Sequence, residues 1–85
     1  MSNMVHVKYE GRSEDIEFED LFQPSDYNTI GIPSGTKPTP QNVTPAQIHM
    51  ALAIYYDRPL SEFQEMHVDV GPTGNVTVRP QAVFG

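Results

Sequence analysis

Three histidines, eleven carboxylates and one glycine-rich stretch are the groups in this 85-residue sequence that could do chemistry. His67 and Asp69 stand two apart, which on a strand puts both side chains on one face, and with His6 from an adjoining strand they could hold a divalent metal. A solvated polar face explains the same residues, because strand alternation turns those positions outward anyway. An Arg79 opposite His67 would also repel a cation. His49 lies beside the apolar stripe of a predicted helix, where a partly exposed histidine with no catalytic partner is expected. Gly31-Ile32-Pro33-Ser34-Gly35-Thr36-Lys37 is one residue short of a phosphate-binding loop, and Thr36 separates glycine from lysine. No Gly-x-Ser-x-Gly elbow accompanies the serines, histidines and aspartates. With no cysteine, disulfides, thiolate metal centres and a cysteine nucleophile are excluded. These residues predict a protein that is not an enzyme and uses neither cofactor nor metal.

The formal net charge is −6, set by eleven acids against two lysines and three arginines, so a nucleic-acid backbone would be repelled on average. Residues 10–20 hold six of the acids and one arginine, a local balance of −5. Such a block could imitate DNA phosphates and occupy a nucleic-acid-binding protein, or simply keep a hairpin's outer face soluble and its edge unpaired. The longest apolar stretch, residues 50–56, is far below the ~20 residues a bilayer needs. No basic start followed by an apolar run is present. The expectation is a soluble cytoplasmic protein with no nucleic-acid or membrane partner, monomeric or a weak homodimer.

Two hairpins and one helix must position whatever the surface offers. Val5, Val7 and Tyr9 alternate with His6, Lys8 and Glu10, and Ile16 and Phe18 alternate with Asp15, Glu17 and Glu19, the period of half-buried strands. A four-residue loop over residues 11–14 pairs Glu10 with Asp15, Tyr9 with Ile16 and Val7 with Phe18, and sets Lys8 against Glu17 and His6 against Glu19. In the last third, Met66, Val68 and Val70 and then Val76 and Val78 repeat the alternation around Gly71-Pro72-Thr73-Gly74. Only a five-residue loop ending at Asn75 pairs Val70 with Val76 and Val68 with Val78, with Asn75 suited to a left-handed conformation. Between the hairpins, Thr44-Pro45-Ala46-Gln47 supplies a cap oxygen, a first-turn proline and a glutamine at the third position, so a helix starts at Pro45. Ile48, Ala51, Leu52 and Tyr55 form its buried stripe, and Pro59 ends it near Asp57. Residues 60–65 add one helical turn with Phe63 inward.

One domain over residues 1–85 follows, an α+β fold whose four-stranded sheet is made from two hairpins and carries one helix on one face. Residues 20–43 are a long irregular segment with Pro24, Pro33, Pro38, Pro40, Gly31 and Gly35, longer than ordinary connections. Leu21, Phe22, Tyr27, Ile30 and Ile32 are apolar enough to pin its first half, while residues 34–41 are expected to stay solvated. The order strand, strand, helix, strand, strand resembles the β-grasp fold of ubiquitin-like proteins. That resemblance implies a first and last strand lying parallel at the sheet centre. It also implies a carrier or modifier role through the carboxylate of Gly85, although conjugated members end in two glycines and Phe84 stands here before the last.

The reading taken from the residues is a protein-binding module in which Tyr27, Ile30, Ile32 and Lys37 of the long segment, with Phe84 and Gly85 of the tail, meet a protein partner. The carrier and the acidic decoy are the alternatives. Thr44→Ala is expected to lower the unfolding free energy by about 1 kcal/mol in urea denaturation, through loss of the helix cap.

Overall fold

A computed structural model describes residues 3–33 and 35–80. It is α+β, with a four-stranded mixed sheet formed by β1 (Met4–Tyr9), β2 (Arg12–Glu17), β3 (His67–Val70) and β4 (Val76–Arg79) in the order β2-β1-β4-β3. β1 pairs antiparallel with β2 and parallel with β4, matching Val5 to Val76 and Val7 to Val78. Those four valines are 0–1% exposed and form the floor of the hydrophobic core. Three helices, not one, lie between the hairpins: α1 (Phe18–Leu21), α2 (Tyr27–Ile30) and α3 (Pro45–Tyr56), with 3-10 turns at Pro24–Asp26 and Leu60–Glu62.

The first hairpin differs from its expected register by four residues. Tyr9 faces Arg12, Val7 faces Glu14, His6 faces Asp15 and Val5 faces Ile16, across a two-residue turn of Glu10 and Gly11. Both turn residues have positive φ, 52° and 76°, the geometry whose twist matches the flanking strands. A shift of four keeps every side chain on its expected face, so the apolar pattern could not distinguish the two registers. Phe18 consequently leaves the strand. Its N–H donates to the Asn3 carbonyl at 2.9 Å and its ring opens α1.

The second hairpin pairs Val70 with Val76, Val68 with Val78 and His67 with Arg79, the register of the five-residue loop. Gly74, at φ 90°, takes the left-handed position in place of Asn75. The Asn75 side chain instead accepts from the Met4 N–H at 3.2 Å, tying the loop to the start of β1.

α3 begins and ends as its chemistry dictates. The Thr44 hydroxyl accepts from the Gln47 N–H at 3.2 Å while the Gln47 side chain accepts from the Thr44 N–H at 2.9 Å. At its other end Asp57 is left-handed at φ 54°, and the Arg58 N–H reaches back to the Ala53 carbonyl at 2.9 Å before Pro59 stops the helix. The buried face is wider than the expected stripe, because the chain from the Leu60–Glu62 turn to Met66 packs along one flank of the helix. His49 and Ala53 are therefore buried, and His49 is no surface residue: its Nε2 lies 2.9 Å from the Met66 carbonyl. Tyr55, expected inside, is 46% exposed. Phe63 follows its short turn into the core at 0% exposure.

Asp57→Gly is expected to raise the unfolding free energy by about 0.5–1 kcal/mol, since only the side-chain-bearing residue is strained in that conformation. The melting temperature of the variant measures this.

Candidate functional site

The long segment builds an open groove of about 440 Å³ against α1, lined by Phe18, Glu19, Asp20, Phe22, Pro24, Tyr27, Lys37 and Pro38. Phe18 and Phe22 are four apart on one helical turn, so their rings stack with centroids 4.6 Å apart, and both are buried. Pro24 opens a 3-10 turn that delivers Tyr27 as the first residue of α2. Gly31, at φ 97°, ends α2 with its N–H on the Tyr27 carbonyl at 2.8 Å, and the Ile32 N–H reaches the same oxygen at 2.8 Å. The opposite wall is closed by Asn42. Its side chain accepts from the Thr39 N–H at 2.7 Å and donates to the Lys37 carbonyl at 3.1 Å, which turns Pro38 and Pro40 inward. Those two prolines are buried where solvation was expected, because the asparagine satisfies the backbone that a proline-rich stretch leaves unpaired.

The groove has an apolar floor and a charged rim. Glu19, Asp20 and Lys37 are exposed, and among the described residues no ion pair joins Lys37 to either acid. A smaller depression of about 160 Å³ continues over Pro38 to Thr39, Pro40 and Asn3. The arrangement suits a side chain or short peptide with apolar surface to bury and a polar group for the rim. Among the described residues that line the groove itself there is no serine, threonine or histidine.

Of the six residues expected to meet a partner, Tyr27 and Lys37 line this groove together. Ile30 and Ile32 are 7% exposed and belong to the core, so in this conformation they anchor the segment and offer a partner little surface. Phe84 and Gly85 lie outside the described residues. Sequence reasoning missed Phe18, Phe22 and Pro38; the four-residue spacing of the two phenylalanines was the available signal for the first pair.

The histidines do not converge. His6 Nδ1 bonds Asp15, and His67 Nε2 lies 2.9 Å from Asp69, whose other oxygen takes Arg79 at 3.4 Å. No group of three metal-ligating side chains exists among the described residues. The acidic block is divided as well. Asp15 and Glu17 share one face of β2, Glu14 lies on the other, and Glu10 bonds Arg58 at 3.3 Å, so residues 10–17 form no single phosphate-like row.

A second polar cluster seals the far end of the core. Tyr9 Oη donates to Glu62, and Arg58 Nε donates to Tyr9 Oη at 3.0 Å and to Glu62 at 3.3 Å. Donation to Glu62 raises the Tyr9 phenol above its ordinary value against the pull of Arg58, and Tyr9 and Glu62 in turn hold the guanidinium more firmly charged. The Tyr9 ring packs on Tyr56 and Phe63 at centroid distances of 5.2 and 5.0 Å. The Tyr56 hydroxyl is shielded from solvent and makes no hydrogen bond among the described residues. Burial first, and then the Glu14 carboxylate, push its pKa up to about 12.

No protein family, characterised protein or solved structure matches this chain.

The raised Tyr56 pKa means the folded state favours the neutral phenol. Its contribution to stability is complete below pH 10 and is lost as pH rises from 10 toward 12. Ultraviolet titration of the folded protein is expected to show one tyrosine ionising near pH 12, absent in Tyr56→Phe, and the variant's stability to fall less over that range.

Proposed function

We propose that the protein is a small acidic binding module without catalytic activity, which recognises a protein partner through the segment between β2 and α3 together with the C-terminal tail. The observation that carries this reading is the meeting of Tyr27 and Lys37, ten residues apart, on one groove whose floor is aromatic and whose rim is charged. A half-buried tyrosine beside stacked phenylalanines and a proline supplies the rigid apolar area on which binding hot spots are built, and unpaired rim charges select the partner. The scaffold under it is rigid where it matters, since Ile30, Ile32, Leu21 and Phe22 fasten the segment to the core.

The scaffold's finer description belongs to the same proposal. We read it as β-grasp-like, supported by the parallel pairing of β1 with β4 at the middle of the sheet and by α3 sharing one core with both strands. α1 and α2 are then additions to that plan, and they are the elements that make the groove.

A photo-crosslinking residue placed at Lys37 is expected to capture a partner from the native host, and one placed at Lys8 on the outer face of β1 is not. Tyr27→Ala should abolish capture while leaving the amide spectrum of the sheet intact, and capture should persist as salt rises. Crosslinking through Lys8 alone, or steep loss of capture with salt, would transfer recognition to the sheet face or to the acidic block.

A further inference from the structure

The strand order β2-β1-β4-β3 leaves two sheet edges, and they are built differently. The β2 edge carries Arg12, Glu14, Asp15 and Glu17, charges that discourage a further strand. The β3 edge carries His67, Val68, Asp69 and Val70, with Val68 half-buried and Val70 44% exposed. Gly71 donates its N–H to the Asn75 carbonyl at 2.8 Å, which identifies that pair as a hydrogen-bonded one. Alternation along the antiparallel ladder then assigns Asp69 and His67 to β4 and turns the N–H and C=O of Val68 and Val70 to the open side. Among the described residues no strand meets them there.

A second copy of this chain fits the edge badly. Symmetric antiparallel pairing centred on Asp69 sets two Asp69 carboxylates opposite each other. Centring on Val68 calls on Met66, whose N–H already donates to the Phe63 carbonyl at 2.9 Å and whose carbonyl lies 2.9 Å from His49 Nε2. Centring on Val70 brings Pro72, which has no N–H, opposite Val68. The geometry points instead to a foreign strand: the β3 edge docks an extended peptide segment that reads apolar, basic, apolar over three consecutive residues. Its two apolar side chains continue the row of Val68 and Val70 on the core side. Its basic side chain emerges on the other face, opposite Asp69, where it competes with His67 at 2.9 Å and Arg79 at 3.4 Å for a carboxylate that is 54% exposed and held only by exposed contacts.

The probe is a short capped peptide containing Val-Lys-Val, titrated into the isotope-labelled full chain, with Val-Glu-Val as control. The Val68 and Val70 amides are expected to shift and to gain protection from solvent exchange, and the lysine peptide to bind about fivefold more tightly than the glutamate one. Asp69→Lys should reverse that preference. Val70→Pro removes an outward N–H without touching the β4 ladder, so the hairpin should persist and binding be lost. Equal response to both peptides, or shifts around Tyr27 and Lys37 with none at β3, would overturn the proposal. So would protection of the two amides that rises with protein concentration alone, which would give the edge to a second copy.

Discussion

The parallel pairing of β1 with β4 is the constraint on which the rest of the structure depends. It joins residues 5–7 to residues 76–78, so most of the chain is the crossover between two neighbouring strands. Parallel neighbours cannot be joined by a tight turn; the connection must leave the sheet, cover a face and return. Here the returning chain contributes α1, α2, α3 and β3, and the face it covers is the one on which Val5, Val7, Val76 and Val78 lie shielded from water. The groove and the open edge are by-products of that route: one forms where the crossover begins, the other where it rejoins the sheet.

How far the sequence could be read depends on whether a local feature admits one geometry or several. Thr44-Pro45-Ala46-Gln47 admits one, and the helix begins at Pro45 with both cap bonds made. In the second hairpin a five-residue loop sets valine against valine, Val70 on Val76 and Val68 on Val78, and that is the register found. The first hairpin admits two. Moving its register by four leaves the faces unchanged, so the choice passes to the backbone of Glu10 and Gly11, and a glutamate at positive φ is not a residue that announces such a turn. His49 and Tyr55 were misplaced for another reason. A single stripe assumes one neighbour, and α3 is packed also by the Leu60–Glu62 turn and Met66, which moves its buried face toward His49 and Ala53 and away from Tyr55. Of the groove, Tyr27 and Lys37 were legible as residues; their meeting was not, because it depends on the Asn42 side chain satisfying a backbone with prolines at 38 and 40.

The far end of the core shows how a small fold closes a sheet corner without a disulfide. Tyr9 ends β1, Tyr56 ends α3 and Phe63 follows the last 3-10 turn, so three elements finish at one aromatic cluster. Arg58 then reaches across the top to Tyr9, Glu62 and Glu10. The contact with Glu10 lies on the strained turn residue itself, which sets an attraction beside the cost of its backbone conformation. Each bond is exposed and weak alone; their worth lies in sharing one guanidinium whose planar fork fixes their directions.

Gln47 does two jobs with one amide. Its oxygen completes the helix cap at Thr44, and its nitrogen donates to the Gly31 carbonyl at 3.1 Å, the residue that closes α2. Any departure of residues 27–31 from the body strips that donor of its acceptor and loosens the rotamer that the first turn of α3 relies on. Conversely, whatever steadies the groove wall steadies the nucleus of the long helix. The groove wall and the first turn of α3 therefore share one side chain, in addition to the apolar anchors Ile30 and Ile32 that hold the segment to the core.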